Sequence, residues 1–341
     1  MVEAVLVGCG AMSRAWLDAA RQIDGLKIVG LVDLGLDHAR SRAAEFRLDG
    51  ADTSASLDAM LDKRRPDAVF DAVVPAARTS IARSAFASGC HLLSEKPLAA
   101  SLDEARAVVA AARKAGRVHA VTQNRRYHPS VRRIRRFLNM GAVGKPTGIH
   151  CDFFLAPHFG GFREEMAHVL LLDMAIHAFD AARAMTGLEG ERVYCREWDP
   201  PNSWFRQGSS AAAIFDMTGG AIFVYRGSWC ADGERTSWEA SWRIVGERGS
   251  LVWDGFDVLH AEAVDGDERD GLLNRTRKVE VPPLGPADRV GGHLGVMQDF
   301  VAALRGGPPP ETAGADNLKS LAMVFAAIES AETGRLVDIE V

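Results

Sequence analysis

The N-terminal third of the chain alternates short apolar runs with amphipathic helical patterns, and this alternation limits the possible folds more than any other feature. Strands are predicted at 4–7, 28–32, 68–74, 91–94 and 118–122, and most are rich in valine and leucine. Continuous apolar runs are typical of strands that a sheet buries on both faces. Helices are predicted between them at 11–21, 37–46, 56–62, 78–88 and 102–115. The pattern predicts an α/β domain with a parallel sheet and right-handed crossovers.

The pattern changes after residue 122. Further strands are predicted at 147–154, 192–198, 211–215, 221–228, 238–245 and 250–253, and turns at 218–220 and 246–249 join two pairs of them. Such hairpins indicate an antiparallel sheet. Helices are predicted at 130–140, 164–185, 294–305 and 316–333, and the charged stretch 265–271 is predicted to be a loop.

These patterns predict two domains, which suits a chain of 341 residues at about 150 residues per domain. Residues 1–122 are predicted to form the domain with the parallel sheet. Residues 123–341 are predicted to form an α+β domain with a mostly antiparallel sheet. Six of the seven tryptophans fall on this second domain, where they either fill its core or belong to a sheet face that another subunit covers. We expect a homo-oligomer through this sheet.

Composition excludes several classes of protein. The net charge is −5, which gives no general attraction to nucleic acid or anionic membranes. The five cysteines are scattered without a C-x-x-C pair, as expected in a reducing compartment. The sequence shows no secretory signal pattern and no apolar run long enough to span a bilayer. These features predict a cytoplasmic protein.

The first predicted strand runs into a Gly8-x-Gly10 turn at the start of a helix. Gly8 permits a tight turn, Gly10 lets the backbone approach a pyrophosphate, and Ala11 and Met12 open the helix whose N–H groups face the anion. Ser13 stands where a third glycine usually packs helix against strand. The turn by itself is equally compatible with a plain strand-to-helix corner.

Asp33 ends the second predicted strand, the position of an acid that hydrogen-bonds an adenosine ribose. A carboxylate there repels a 2′-phosphate, and Leu34 follows it instead of an arginine. The sequence therefore favours NAD over NADP, although Arg40 and Arg42 lie near enough in sequence to leave NADP open.

Four stretches together resemble one known family. They are LLSEKPLA, which contains Glu95-Lys96-Pro97, the segment QNRRYHPSVRRI at 123–134, LLLDMAIHAFD at 170–180, and the closing ETGRLVDI. With the Gly8-x-Gly10 turn they resemble the Gfo/Idh/MocA family (glucose–fructose oxidoreductase, inositol dehydrogenase, rhizopine catabolism) over nearly the whole chain. The resemblance implies a nucleotide-binding Rossmann domain with a doubly wound parallel sheet at 1–122. It implies a substrate-binding and oligomerisation domain with an open, mostly antiparallel sheet at 123–341. It also implies an NAD(P)-dependent oxidoreductase that interconverts a secondary hydroxyl and a ketone on a sugar, inositol or related polyol.

The resemblance also implies roles for particular residues. Lys96 is implied to be catalytic on the nicotinamide side, with a cis bond to Pro97, and Glu95 and Pro75 are implied to contact the cofactor. From the residues alone, Asp173 and His177 lie four apart on one face of an apolar helix. Such a pair is either a structural hydrogen-bonded pair or part of a cavity that meets substrate. The resemblance favours catalysis, with His177 exchanging the proton and Asp173 orienting it.

Met166-Ala167-His168 replace the glycines that often precede the Asp-x-x-x-His helix in the family, so His168 and Arg163 are candidates for lining the substrate pocket. Arg126, Tyr127 and His158 are further candidates for substrate binding. Solvent-facing loop positions are an equally good interpretation of Arg126, Tyr127 and His158. No metal site is predicted, since His168, Asp173 and His177 lack the spacing of a compact ligand set.

Other functions fit less well. The arginines at 125–136 lack the interleaved aromatics of a nucleic-acid surface and are interpreted as a solvated helix face. Ser94 lacks a G-x-S-x-G elbow, so a hydrolase has no support. A non-catalytic NAD-bound sensor on the same scaffold remains the alternative from another class, and an imine or enone reductase remains a second enzymatic one.

Overall fold

The computed structural model describes residues 1–341, which divide into two compact units. The first unit comprises Met1–Tyr127 and Arg289–Leu318, and the second comprises His128–Asp288 and Lys319–Val341. The nine α-helices are α1 (Ser13–Ala20), α2 (Leu36–Glu45), α3 (Leu57–Arg64), α4 (Pro75–Ala87), α5 (Leu102–Ala115), α6 (Pro129–Asn139), α7 (Ile176–Thr186), α8 (His293–Leu304) and α9 (Gly314–Thr333). No helix is both long and apolar enough to cross a bilayer.

The first unit is built on a six-stranded parallel sheet, as the alternating pattern predicts. Its strands are β1 (Val2–Val7), β2 (Leu26–Val32), β3 (Asp52–Ser54), β4 (Ala68–Asp71), β5 (His91–Ser94) and β6 (His119–Val121). Their order is β3-β2-β1-β4-β5-β6. The order reverses between β1 and β4, and ligands of such sheets bind at the carboxyl ends of the strands beside this point.

Packing around β1 and β4 explains why α8 returns to this unit. Trp16 of α1 lies 5.6 Å from Phe70 of β4, and Phe70 lies 6.1 Å from Phe300 of α8, measured between ring centroids. All three side chains are fully buried. Because α8 supplies part of the apolar cover of the sheet, the first unit needs residues from late in the chain.

In the first unit, one predicted boundary is wrong and one strand was not predicted. β4 ends at Asp71 rather than at residue 74, because Pro75 occupies the first turn of α4 with its fixed φ. β3 is not predicted from the sequence, since its three residues, Asp52 to Ser54, are polar and none is fully buried. A short edge strand of this kind lacks the apolar run that marks its neighbours.

The second unit contains a nine-stranded sheet. Its strands are β7 (Pro146–Phe154), β8 (Gly190–Trp198), β9 (Ser210–Met217), β10 (Ile222–Ser228), β11 (Ser241–Gly246), β12 (Gly249–Trp253), β13 (Leu259–Asp270), β14 (Leu273–Val279) and β15 (Val337–Asp338). Their order is β14-β13-β12-β11-β7-β10-β9-β8-β15. Only the β7–β10 pair is parallel, so the predicted open, mostly antiparallel sheet is confirmed.

One face of this sheet packs against α7. The ring of Phe179 lies 4.7 Å from Phe215, 6.0 Å from Phe223 and 5.3 Å from Tyr225, measured between centroids, and all four are buried. Of the tryptophans, Trp229, Trp242 and Trp253 are buried in this unit, whereas Trp198 and Trp238 are each 48% exposed. The tryptophans therefore divide between core and surface.

Two predictions in the second unit need correction. The stretch 265–271 is not a loop: β13 runs to Asp270 and turns into β14, because acids on one strand pair with basic residues on the other, as in Arg275 Nη1 to Glu268 Oε2 at 2.9 Å. The predicted helix at 164–185 is also shorter. A 3₁₀ turn covers Gly161–Arg163, a π-helical turn covers Leu170–Ala175, and α7 begins only at Ile176.

Candidate active site

Gly8 and Gly10 differ in what the fold requires of them. Gly8 has φ of +90°, and a β-carbon there would lie 2.8 Å from the Ala72 carbonyl oxygen, so no other residue fits. A β-carbon on Gly10 would meet no atom within 4 Å. The backbone at Gly10 therefore faces open space, which is what a group approaching the turn requires.

Ser13 closes this turn in place of a third glycine. Its side chain is fully buried, and its Oγ donates to the Gly10 carbonyl oxygen at 2.6 Å. No side chain caps the N-terminus of α1, and its first turn holds no acid. The exposed residues Gly10, Ala11 and Met12 thus precede a helix N-terminus that is electrostatically suited to a phosphate.

Asp33 lies at the carboxyl end of β2, beside the turn. Its Oδ2 accepts from the Cys9 backbone N–H at 2.8 Å, its Oδ1 accepts from the Gly35 N–H at 2.9 Å, and His38 Nδ1 lies 3.2 Å from Oδ1. Burial opposes ionisation, but these hydrogen bonds hold the pKa of Asp33 below its usual value. The side chain is therefore an ionised acceptor beside the glycine turn.

Arg40 and Arg42, whose positions in the sequence left NADP binding open, both bind other groups of the protein. Arg42 is buried, and its Nη2 donates to the carbonyl oxygens of Cys9 and Gly10, both at 3.1 Å. Arg40 pairs with Asp37 at 3.3 Å. Arg42 supports the turn from within the protein, a role that sequence reasoning missed because an arginine in an amphipathic helix usually faces water.

Lys96 follows β5 at the same edge of the sheet, and its bond to Pro97 is cis. Glu95 beside it is fixed from two directions: Oε1 accepts from Trp16 Nε1 at 2.9 Å and lies 3.2 Å from His293 Nε2, while Oε2 accepts from the Lys96 N–H at 3.1 Å. Burial raises the pKa of Glu95. The hydrogen bonds from His293 and Trp16 and the charge of Lys96 together lower it by more than burial raises it, so the net shift of the pKa is downward.

A buried ion pair, which sequence reasoning also missed, supports this segment. Arg78 donates through Nη1 to the Pro97 carbonyl oxygen and through Nη2 to the Val73 carbonyl oxygen, and its Nε lies 3.4 Å from Asp71 Oδ2. Both Arg78 and Asp71 are buried. Burial raises the pKa of Asp71 to about 6 despite the charge of Arg78. The only feature of the sequence that could indicate this ion pair is the arginine in the first turns of α4, a helix that consists mostly of small residues.

Polar groups at this edge fit a nicotinamide nucleotide. The side chain of Gln123, just after β6, is 1% exposed, and neither its amide oxygen nor its nitrogen finds a partner. Pro75, predicted to contact the cofactor, opens α4 just after β4. The open turn, the uncapped α1, ionised Asp33 and this unpaired amide all lie at the carboxyl edge of one parallel sheet.

In the second unit, Asp173 lies in the π-helical turn and His177 in the first turn of α7. Arg163 Nε donates to Asp173 Oδ2 at 3.0 Å. His177 is buried, with 8% of its surface exposed. The third polar residue of this segment, Asp180, is buried and accepts from Ser320 Oγ at 2.6 Å, which indicates a structural role.

Of the remaining substrate-binding candidates in this unit, His158 is exposed and Arg163 partly so. The ring of His158 stacks on Trp204 with 3.8 Å between centroids. His168 has φ of +51° and is held by acids, with Nδ1 2.5 Å from Glu197 Oε2 and Nε2 3.4 Å from Glu332 Oε1. These contacts indicate that His168 anchors the segment before the π-helical turn.

Arg126 and Tyr127, the other two candidates, are buried in the first unit. Arg126 donates to the Glu311 carbonyl oxygen at 2.9 Å and to Asp316 Oδ2 at 2.6 Å, and Tyr127 Oη donates to Asp299 Oδ2 at 2.7 Å. Through these bonds both side chains tie residues 289–318 to the Rossmann sheet, and their role in substrate binding stays a prediction. Sequence reasoning could not foresee partners so far along the chain.

The chain matches known proteins along its length. Residues 2–123 match the family model described as oxidoreductase family, NAD-binding Rossmann fold, and residues 131–252 match that of the GFO/IDH/MocA C-terminal domain. The D-apiose dehydrogenase of Paraburkholderia graminis is 30% identical, covering 99% of this chain and 90% of the relative. The 1,5-anhydro-D-fructose reductase of Ensifer adhaerens is 25% identical and covers 98% of both chains.

Solved structures share the fold. An oxidoreductase from Agrobacterium radiobacter, in complex with NAD⁺, L-tartaric acid and magnesium, superposes with a TM-score of 0.87 at 22% identity, covering 99% of this chain and 98% of that one. Levoglucosan dehydrogenase, in complex with NADH and levoglucosan, superposes with a TM-score of 0.82 at 20% identity over the full length of both chains.

Proposed function

Because this chain belongs to the Gfo/Idh/MocA family of NAD(P)-dependent oxidoreductases, we propose that it interconverts a secondary hydroxyl and a ketone on a sugar, inositol or related polyol. The names of the curated relatives, a D-apiose dehydrogenase and a 1,5-anhydro-D-fructose reductase, support a sugar as substrate. One observation at the carboxyl edge of the first sheet carries the proposal. Lys96 follows Glu95, whose buried carboxylate accepts from the Lys96 N–H and from Trp16 of α1, the helix that begins at the open glycine turn.

The bound nicotinamide supplies a hydride acceptor or donor. Gly8 and Gly10 shape the turn that receives the pyrophosphate, Ala11 and Met12 present the first N–H groups of α1 to it, and Asp33 accepts hydrogen bonds from the ribose. Pro75, Glu95 and Lys96 would hold the nicotinamide half.

NAD is the proposed cofactor rather than NADP. Asp33 is ionised and would repel a 2′-phosphate, while Arg40 and Arg42 already bind Asp37 and the glycine turn. Replacement of Asp33 by alanine should weaken NAD binding at least tenfold and leave NADP binding less affected. Titration of both nucleotides by isothermal calorimetry checks this, and unchanged NAD affinity would contradict the assignment.

Lys96, His177 and Asp173 are proposed to handle the proton. The Lys96 ammonium donates to the reacting hydroxyl and lowers its pKa, and His177 takes the proton as the carbon loses its hydride. Asp173, which accepts a hydrogen bond from Arg163 Nε, orients the imidazole or a neighbouring hydroxyl. In the reductive direction the same groups return the proton.

Substitution of these residues tests the proposal. The Lys96→Ala and His177→Ala proteins should bind NAD normally but turn over about 100-fold or more slowly, the usual size of a general acid–base contribution. Activity is followed by nicotinamide absorbance on a panel of polyols and keto-sugars. Near-normal turnover in both variants would show that the proton chemistry lies elsewhere.

We also propose a homo-oligomer that covers the outer face of the nine-stranded sheet. Tyr194, Trp198, Ile214 and Ile222 on β8, β9 and β10 are between 38% and 48% exposed. Tyr194 pairs with Ile214 in register, so these side chains form one apolar strip, and the Arg192–Asp216 and Arg226–Asp152 ion pairs lie beside it. Apolar strips with polar borders are typical of subunit interfaces.

A further inference from the structure

The guanidinium of Arg163 is fixed in place, yet most of its donors are unused. Nε donates to Asp173 Oδ2 at 3.0 Å, and Cζ lies 5.1 Å from the ring centroid of Phe159 and 5.0 Å from that of Phe162. Neither Nη1 nor Nη2 donates to any group of the chain. The side chain is 31% exposed, so these donors remain open to a ligand.

A fixed guanidinium with two free Nη groups recognises planar anions. Its parallel N–H bonds match the two oxygens of a carboxylate, whereas a hydroxyl oxygen offers no second acceptor for the fork. Asp173 balances the charge of Arg163 through the single Nε bond, but it leaves the edge that carries the Nη groups unoccupied. The two apolar rings cover part of the guanidinium and help to hold its orientation.

The two aromatic rings beside Arg163 are suited to contact a sugar ring. Phe159 is 39% exposed and Phe162 is 55% exposed, although both contact the guanidinium. Exposed rings of this kind present apolar faces to the C–H groups of a sugar ring. A ligand with a carboxylate at one end and a sugar ring beside it would therefore satisfy both the free donors and the open rings.

We propose that Arg163 forms a carboxylate subsite and that the substrate is a sugar acid, a uronate or an aldonate. This inference rests on the proposed function and narrows its substrate class. Because Arg163 is bonded to Asp173, the subsite adjoins the segment that carries the predicted proton-handling groups. The carboxylate is unchanged in the reaction: a secondary carbon elsewhere in the substrate loses its hydride to NAD⁺ and its hydroxyl proton to the enzyme's base.

Matched pairs of substrates test the inference on the full chain with NAD⁺. D-Galacturonate and D-glucuronate differ from D-galactose and D-glucose only in a carboxylate at C6, and D-gluconate is compared with D-glucitol. We expect at least one acid to exceed its neutral partner in kcat/KM by about tenfold or more. Calorimetric binding of the same pairs, with NAD⁺ present, gives a readout that needs no turnover.

Arg163 variants then separate recognition from catalysis. Arg163→Met should lower kcat/KM or affinity for the acid by about 10- to 100-fold more than for the neutral partner, the size of a charge-assisted hydrogen-bond pair. A loss that both substrates share reports the contact of Arg163 with Asp173. Arg163→Lys, which keeps the charge without the fork, should recover part of the loss. Arg275→Met is the control, because it removes an arginine from the Glu268 ion pair on the β13–β14 hairpin.

The outcomes distinguish the two proposals. Turnover of neutral sugars with no preference for any acid, or an equal loss on both classes in Arg163→Met, would overturn the carboxylate subsite and leave the proposed function standing. Preference for D-glucose 6-phosphate over the acids would likewise overturn it. If NAD⁺ binds but no sugar of either class is bound or turned over, the proposed function fails, and the inference fails with it.

Discussion

At the scale of single residues, the two glycines of the first turn have separable roles. Gly8 is required by the fold, since its positive φ and the nearby Ala72 carbonyl oxygen leave no room for a β-carbon. The fold places no such demand on Gly10, because a β-carbon there would meet no atom of the protein within 4 Å. We therefore propose that a bound cofactor, and not the fold, requires a glycine at this position.

We expect Gly8→Ala and Gly10→Ala to differ accordingly. Gly8→Ala should destabilise the protein by about 2 kcal/mol or more through backbone strain and overlap. The unfolding free energy of Gly10→Ala should lie within about 0.5 kcal/mol of that of the natural protein, but Gly10→Ala should bind NAD at least tenfold more weakly. Urea unfolding and nucleotide titration measure the two effects, and a Gly10→Ala protein with normal NAD affinity would mean that the pyrophosphate binds elsewhere.

Arg78 gives a second prediction at this scale. Because both members of the Arg78–Asp71 pair are buried, Arg78→Met leaves a carboxylate without its cation and should cost about 3 kcal/mol of unfolding free energy. Adding Asp71→Asn should restore part of that stability, since the remaining group is then neutral. Chemical denaturation of the single and double variants measures this, and additive losses would show that the two side chains are not coupled.

At the scale of elements, β6 carries a buried histidine that links stability to pH. His119 is 6% exposed, and Ser94 Oγ lies 3.2 Å from its Nε2. Burial, aided by the charge of Arg78, lowers the pKa of His119 from 6.5 to about 4. The native state therefore favours the neutral ring, so its stabilisation is complete above pH 6.5 and is lost as the pH falls towards 4.

This linkage predicts that His119 alone removes about 3 kcal/mol of stability between pH 6.5 and pH 4. The His119→Gln protein should lack this pH-dependent loss of stability. Its unfolding free energy, relative to that of the natural protein, should therefore rise as the pH falls. Urea unfolding at several pH values measures the difference. A difference independent of pH would show that His119 titrates normally in the folded protein.

At the scale of the whole molecule, the exposed strip on β8, β9 and β10 predicts the assembly. Ile214→Asp places a charge within the strip, and a buried interfacial charge without a partner is strongly unfavourable, so we expect dissociation to monomers. Leu272→Asp is the control, since Leu272 is 98% exposed at the tip of the β13–β14 hairpin. Light scattering coupled to size-exclusion chromatography reports the mass, and a natural protein that is monomeric at micromolar concentration would contradict the interface.

The sequence by itself determined most of the strands and helices and the glycine turn, because hydrophobic period, caps and turn residues are local properties. It also placed Asp33 and Lys96 after their strands, since parallel topology brings strand ends to one edge. Partners distant in sequence were decided only by the tertiary structure. Arg42 beneath the glycine turn, Arg78 on Asp71, Tyr127 on Asp299 and His168 between two acids depend on which segments pack together, and no local pattern encodes that packing.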